Sequence, residues 1–561
     1  MPFGIIDTEL NDGGQIPGTE MLIGGSRAGG VETAVDDGHL QVEKITYRAS
    51  QGVETILVPQ PSKTDLNDPL LWPRWQKEAA FFVIFVNAIV FAILAGPVIA
   101  PATFALAPIL GVTLTEVAEL SGYQLLLVAA LGPLVSVLAQ KYGKRPQFLF
   151  AAVTGTLGTI ICIVGSQQGS YHVLLAGRLV QGLGVTAWES LSLAAVGDMF
   201  YLHERGWRTA LIVCSLACMA SMVSIISGVL FENKGYEKLF VAELPFNIVG
   251  LLATVFLLPE TQYARTAAAA VAAAPRSAQD TAQEPPQKGA NETTEKTWDH
   301  HAETVPARLD AKIPKRSYIQ TLAPWGRTGS SSYTTKTIPH LLSEIFVHLI
   351  NPAVFWILMV SAVLVAFFVV SAYILSQIWS VPPYDLNVAQ NGYFWAGAFV
   401  GGVLAVFVGP LCDWSASTLA RANGGVYEAE FRIPVNILGA LFCSLGWFLF
   451  MWVVENPRPD GYFLGAFFHG CACFGISVPS TSAGLYILQS TEVFVLQMML
   501  KNFLFYAFST FINTWAAEAG GGEVFQVFGI VSLVLIALCI PMYVFGKLNR
   551  KLIMQHTGVH I

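Results

Sequence analysis

The sequence predicts an all-α polytopic membrane protein whose twelve transmembrane helices form two bundles of six. Three observations carry this. Of 561 residues, 54% are hydrophobic and only 12% charged, about half the charged share of a soluble domain. The charges are also segregated: residues 1–78 and 259–345 hold 37 of the 69 Lys, Arg, Asp and Glu side chains, leaving 32 for the other 396 positions. Finally, those 396 positions contain apolar runs long enough to cross a bilayer. Together these exclude a cytosolic enzyme, a nucleic-acid binder and a disulfide-stapled secreted domain.

A hydrocarbon core of about 30 Å takes about 20 apolar helical residues. On that ruler the first half gives spans at 78–100, 121–140, 147–166, 171–198, 208–231 and 240–258. The second gives 346–379, 391–412, 433–454, 461–488, 492–515 and 524–546. Helices are expected because a backbone in lipid must satisfy its own hydrogen bonds, and the alternation of a barrel is absent. The predicted organisation is a cytosolic tail (1–77), a first bundle (78–258), a linker (259–345), a second bundle (346–546) and a short cytosolic tail (547–561). Met1–Lys77 has no apolar core of the signal-peptide kind, so the first span is expected to direct its own insertion.

Basic residues set the orientation. With a cytosolic N-terminus the inner loops carry Lys141, Lys144, Arg145, Arg205, Arg208, Arg421 and Arg432, and the C-terminal tail adds Lys547, Arg550 and Lys551. The outer loops carry only Lys234, Lys238 and Arg458. Both termini and the linker are therefore expected in the cytosol. The linker, rich in Ala, Pro and Gly-Ser tracts without apolar periodicity, is expected to be a disordered tether that lets the bundles rock. Asn291-Glu-Thr there is a chance glycosylation sequon. The net charge of −7 comes mostly from the N-terminal tail, and the eight cysteines show neither metal spacing nor a disulfide framework.

Ala139-Gln140-Lys141-Tyr142-Gly143-Lys144-Arg145 lies between the second and third spans. It resembles the Gly-x-Leu-x-Asp-Arg-x-Gly-Arg-Arg loop of the major facilitator superfamily, with Gln140 at the Asp position and Ser136 at the leading Gly. Gly177-Arg178-Leu179-Val180-Gln181-Gly182-Leu183-Gly184 is similar to that superfamily's Arg-x-x-Gln-Gly-x-Gly motif. Asp68-Pro69-Leu70-Leu71-Trp72-Pro73 and Leu258-Pro259-Glu260-Thr261 resemble motifs of fungal drug:proton antiporter-1-like carriers. Phe200–Gly206, Pro382-Pro383-Tyr384 and Asn423–Arg432 resemble a subgroup that includes yeast cation and polyamine carriers. In the fifth span, where antiporters carry Gly-Pro-x-x-Gly-Gly, Val223-Ser224-Ile225-Ile226-Ser227-Gly228 keeps only the last glycine, so the resemblance leaves antiport and symport both open. It implies a two-bundle carrier without cofactor or metal, acting as a monomer in the plasma membrane on a small molecule and protons, with Arg178 associated with proton coupling.

An ionisable group inside a membrane is a functional candidate by default. Arg178 and Glu189 are eleven residues apart, about three turns and 16 Å, with a net rotation of only about 20°, so they share a helix face. Both are candidates for proton coupling. Snorkelling to the outer interface is the competing explanation for Arg178, and a structural polar contact for Glu189. Asn87, Gln124, Trp188, Tyr373, Trp395, Asn436, His469 and Lys501 are candidates for the substrate cavity, against helix packing or snorkelling. Lys141, Gly143, Lys144 and Arg145, with Asp413, Arg421, Glu428, Glu430 and Arg432, are expected to form a cytosolic gate. Neither a nucleophile–base pair nor a phosphate-binding loop is present, so enzyme and ATP-driven pump are both disfavoured. The expected function is proton-coupled export of an amphipathic drug, toxin or secondary metabolite. Uptake or exchange of an organic cation or polyamine is the alternative, and a non-transporting sensor a remote one.

Overall fold

The first apolar run follows one long helical path, α1 (Arg74–Leu110), that is not uniform. α-Helical turns over Arg74–Asn87 pass into a π segment at Ala88–Leu94 and a 3-10 segment at Pro97–Ala102. Pro97 and Pro101 lack the amide hydrogens a regular ladder needs, which breaks the helix in its C-terminal half. Gly111, with φ 68°, ends it. Thr113 and Glu116 then form a reciprocal capping box that starts α2 (Leu114–Tyr142), satisfying amides the first turn would leave free.

The computed structural model describes residues 4–6, 19–21, 46–48, 54–56, 67–263, 317–323, 333–424, 426–486 and 491–557. The first bundle continues with α3 (Lys144–Gln168), α4 (Tyr171–Met199), α5 (Leu202–Lys234) and α6 (Glu237–Leu257). The second contains α7 (Pro352–Trp379), α8 (Val388–Ala422), α9 (Ala429–Glu455), α10 (Gly461–Tyr486), α11 (Thr491–Ser509 and Ile512–Glu518) and α12 (Gly521–Gln555). Ten of these are helical paths long and apolar enough to cross a membrane, α11 is a pair bent by 46°, and α5 has 33 residues. Phe82, Val249, Phe256, Ile437 and Phe463, each more than 60% exposed, form an apolar exterior that suits lipid rather than water.

Each bundle has its own core. In the first, Trp188 stacks on Phe91 at 5.7 Å and against Phe148 at 4.5 Å. In the second, Trp379, Phe394, Trp447, Phe450 and Phe525 are fully buried together. The bundles meet along two seams, α2 with α11 and α5 with α8. At the second seam Gly228 is indispensable: a Cβ there would lie 2.7 Å from the Val388 carbonyl oxygen and 2.9 Å from Gly392 Cα. The one glycine retained in the fifth-span signature is thus the point where two backbones touch.

A short helix, Ile338–Val347, begins inside 259–345, the stretch the sequence assigns to the linker, and runs two residues past it. The helical turn Tyr318–Thr321 also rests on α6, the Tyr318 hydroxyl donating to the Phe256 carbonyl at 3.0 Å. Most of the stretch expected to be disordered, 264–316 and 324–332, lies outside the described residues. In the N-terminal tail, β1 (Thr19–Met21) pairs antiparallel with β4 (Val426–Glu428) in the α8–α9 loop, and β2 (Thr46–Arg48) with β3 (Glu54–Ile56). Ile5 is buried against Ala416, Ala420 and Phe431.

Candidate functional site

α4 carries one polar stripe along its buried face, and the stripe holds two separate sites. Toward the C-terminal end of α4 Glu189, 8% exposed, reaches across to the second bundle. The Lys501 ammonium makes an ion pair with its Oε1, and Asn502 Nδ2 donates to its Oε2 at 3.0 Å. Both partners lie on α11, so a full charge pair bridges the bundles at mid-span. Trp188, next in sequence, points about 100° away into the first core. There it is 1% exposed and meets protein on all sides.

Toward the N-terminal end of α4 Arg178 is fully buried rather than exposed at a surface. Its Nη1 donates to the Ala95 carbonyl beside the break in α1, to Gln124 Oε1 on α2 at 3.3 Å and to Gln181 Oε1 at 3.2 Å. The guanidinium lies 5.3 Å over the Phe240 ring of α6. Gln181 turns its amide the other way, to Thr159 Oγ1 at 2.8 Å and Glu243 Oε1 at 3.2 Å. Thr159 and Asn247 also donate to that carboxylate oxygen, at 3.0 and 3.2 Å. Glu243, 3% exposed, is not among the residues singled out from the sequence. Starting the sixth span at 240 placed it near the interface, whereas the rule that flags Glu189 applies to it equally.

The other cavity candidates are dispersed. Asn87 donates to the Gly250 carbonyl at 3.1 Å and Thr254 Oγ1 at 2.9 Å, tying α1 to α6. Asn436 donates to Cys539 Sγ at 3.1 Å, tying α9 to α12. His469 sits in a cage of Phe368, Phe394, Trp395, Trp447 and Phe450, with Ser371 Oγ 3.3 Å from Nε2. That cage belongs to the interior of the second bundle. Tyr373 stands beside Ser121 of α2 and packs edge-on against Phe505 of α11 at 5.6 Å. Tyr373, Glu189 and Lys501 thus lie where the bundles face each other, whereas Gln124 turns to Arg178 inside the first bundle. Asn87, Trp188, Trp395, Asn436 and His469 lie within one bundle.

Between α2 and α3 the Gly143 loop is built around Glu260. Its carboxylate accepts from the Lys144 and Arg145 amides at 3.0 and 3.1 Å, capping α3, and from the Gln262 amide at 2.8 Å. Burial pushes this carboxyl above the usual range, and the amides pull it back. The Arg145 guanidinium collects the Thr254, Val255 and Leu258 carbonyls at the end of α6, where the helix dipole is negative. Lys144 pairs with Asp198 of α4. Lys141 donates to the Lys336 carbonyl at 3.2 Å. Gln140, in the place of the motif's Asp, donates to Glu492 of α11 at 3.3 Å and crosses to the second bundle.

Gly143 has φ 105° and ψ 158°, and a Cβ there would stand 2.2 Å from Glu260 Oε2. Gly143→Ala is therefore expected to destabilise the first bundle by about 1–3 kcal/mol from backbone strain alone, and further by displacing Glu260. A thermal-unfolding midpoint equal to wild type would contradict this.

In the second half the expected gate charges find partners within their own bundle. Asp413 pairs with Arg432 at 3.0 Å, and Arg432 also donates to the Leu485 carbonyl at 2.8 Å. Glu428 pairs with Lys547 at 2.8 Å and Arg550 at 3.0 Å, and accepts from Thr19 Oγ1 at 2.7 Å. Glu430 pairs with Arg550 at 2.6 Å. Arg421 is exposed and makes no ion pair among the described residues. Rather than latching one bundle to the other, these charges staple the α8–α9 loop to the end of α12 and to the N-terminal tail.

A family model described as Major Facilitator Superfamily matches residues 80–493. An uncharacterized MFS-type transporter of Schizosaccharomyces pombe is 20% identical over 526 residues, 89% of this chain and 88% of that one. Efflux pump FUS6 of Gibberella fujikuroi is 29% identical over 201 residues, 35% of each chain. An MFS-type transporter of Mycobacterium tuberculosis matches over only 31% of its own length. Among solved structures, a partially occluded inward-open form of the xylose transporter XylE from E. coli superposes with a TM-score of 0.54 at 12% identity, covering 83% of this chain and 99% of that one. That likeness shows the fold. With the two-bundle architecture and a family match over most of the membrane domain, the chain belongs to the Major Facilitator Superfamily and is a membrane transporter rather than an enzyme.

Proposed function

We propose that the protein is a proton-coupled secondary carrier that exports an amphipathic small organic molecule by alternating access. It belongs on this reading to the fungal drug:proton antiporter-1-like branch, and acts as a monomer in the plasma membrane with both termini cytosolic. The observation that carries the proposal is the Glu189–Lys501–Asn502 contact between α4 and α11. Two bundles that rock about a central site must break and remake whatever bridges them there. Because the bridge has no net charge, the site suits a molecule with at most one charge and a large apolar body, which ethidium represents and the multiply charged spermidine does not. The match to a fungal efflux pump over a third of the chain supports the direction. The alternative substrate, an organic cation or polyamine, is favoured by one feature: the Glu189 carboxylate, which such a cation would win from Lys501.

The test is accumulation of ethidium, with spermidine as competitor, by liposomes carrying the purified full-length protein. Proton antiport requires accumulation when the lumen is acid, and its collapse on adding nigericin. Accumulation only with the exterior acid would establish symport instead. Accumulation indifferent to the pH gradient would remove proton coupling altogether.

A further inference from the structure

The Arg178 cluster contains a second buried acid that the bundle-bridging site does not use. All three hydrogen bonds to Glu243 converge on Oε1, from Thr159, Gln181 and Asn247. Its Oε2 is buried without a hydrogen-bond partner among the described residues, and so are Nε and Nη2 of Arg178. Gln181 stands between the two side chains, accepting from Arg178 and donating to Glu243. The groups around the carboxylate are Arg178 and Gln181 from α4, Thr159 and Cys162 from α3, and Asn247 and Phe240 from its own helix. Of these, Arg178 is the charged one and Cys162 the other titratable one. An acid and a base, each with free hydrogen-bonding capacity, thus face each other across one glutamine in a buried site. Such an arrangement has two states, an ion pair and a neutral acid beside a guanidinium held elsewhere.

In this structure Arg178 is turned to the Ala95 carbonyl, at the break between the π segment of α1 and Pro97. The segment beyond that break, Pro97–Leu110, packs on α7, and its Pro97–Ala102 part also touches Val388–Phe394 of α8 beside the α5 seam. Arg178 therefore ties α4 to the break in α1, next to a segment that contacts the second bundle.

We infer that Glu243 is the proton-binding carboxylate of this carrier, and that Arg178 moves between it and the α1 break as the proton comes and goes. The inference rests on the proton-coupled reading above and divides its labour, giving the proton to Glu243 and the bundle bridge to Glu189 and Lys501. A proton from water adds to Oε2, forming an O–H bond and neutralising the carboxylate. Arg178 then turns to Ala95 and Gln124. When the proton leaves toward the other compartment that O–H bond breaks, and the carboxylate regains the guanidinium. Electrons are not exchanged. Glu243 lies six residues, about 9 Å of helix, from the start of α6 at Glu237, a short path for a proton from the membrane surface.

The experiment is infrared difference spectroscopy of the full-length protein in nanodiscs, stepped between neutral and acid pH without substrate. Wild type should show a protonated-carboxyl stretch on acidification; Glu243→Gln should lose it, and Glu189→Gln should retain it. A band of undiminished amplitude in Glu243→Gln overturns the assignment. Should that variant not fold, Glu243→Asp must shift the band's frequency, and an unshifted band is equally fatal. In liposomes Glu243→Gln should lose accumulation of ethidium driven by the pH gradient, while counterflow exchange of ethidium persists; retained gradient-driven accumulation again refutes the role. If wild type itself shows no gradient-driven accumulation, proton coupling has failed, and the infrared titration still decides whether Glu243 takes up the proton.

Discussion

Arg178→Ala should bring gradient-driven transport to background and lower the melting temperature as well. The first effect follows from the position of the guanidinium between the α1 break and the Glu243 cluster. The second follows from what the substitution leaves behind. The Ala95 carbonyl, Gln124 Oε1 and Gln181 Oε1 would lose a donor in a buried site, at about 1–3 kcal/mol for each group left unsatisfied. Glu243 would lose the one cation near it. The variant should therefore be present in the membrane at reduced yield and unfold several degrees earlier. Arg178→Lys separates the two effects. A lysine keeps the charge but not the planar fork that addresses several acceptors at once, so stability should recover more than transport does. Uphill transport by Arg178→Ala at the wild-type rate would sink both the coupling role and the switching mechanism.

The architecture was legible because lipid imposes it. Apolar run length and the exclusion of charge mark each span without help from long-range contacts. Helix edges were less so. The second and eighth spans were expected from 121 and 391, whereas the helices begin at Leu114 and Val388, set by the capping residues Thr113 and Asn387. Caps act at the water interface, where apolar run length carries no signal. Glu189 and Lys501 were both singled out from the sequence, but their pairing was not. Helical periodicity gives the face a residue shares, never the partner 312 positions away. Periodicity did contain one unused constraint: Trp188 and Glu189, adjacent on a helix, cannot both face the same cavity. Glu428 and Glu430 were grouped with their sequence neighbours Arg421 and Arg432, while their cations come from Lys547 and Arg550 of the last helix. Short loops let the eye pair what is close in sequence, and the bundle pairs what is close in space.

Glu189→Gln should separate charge from shape at the bundle bridge. The amide keeps the volume and a contact to Asn502, but it leaves the Lys501 ammonium in a partly buried site without its counter-ion. Removing one member of a buried pair costs about 3–5 kcal/mol, and Lys501→Met should cost a similar amount by stranding the carboxylate. The double variant Glu189→Gln/Lys501→Met removes both charges, so it should melt higher than either single variant. A double variant whose loss equals the sum of the two single losses would mean that the pair is not energetically coupled. Transport then distinguishes what the carboxylate does. If it serves as a switchable bridge, with the proton carried by Glu243, both single variants should lose uphill ethidium transport. The double variant should recover exchange, because its neutral interface can open and close again. If Glu189 instead binds a cationic substrate directly, no change at Lys501 can compensate, and the double variant should be as silent in exchange as Glu189→Gln. If Glu189 is itself the proton carrier, Glu189→Gln should keep exchange while losing uphill transport, and its infrared titration should lose the acid band assigned to Glu243. Wild-type behaviour in both transport modes would reduce Glu189 and Lys501 to a packing contact between α4 and α11.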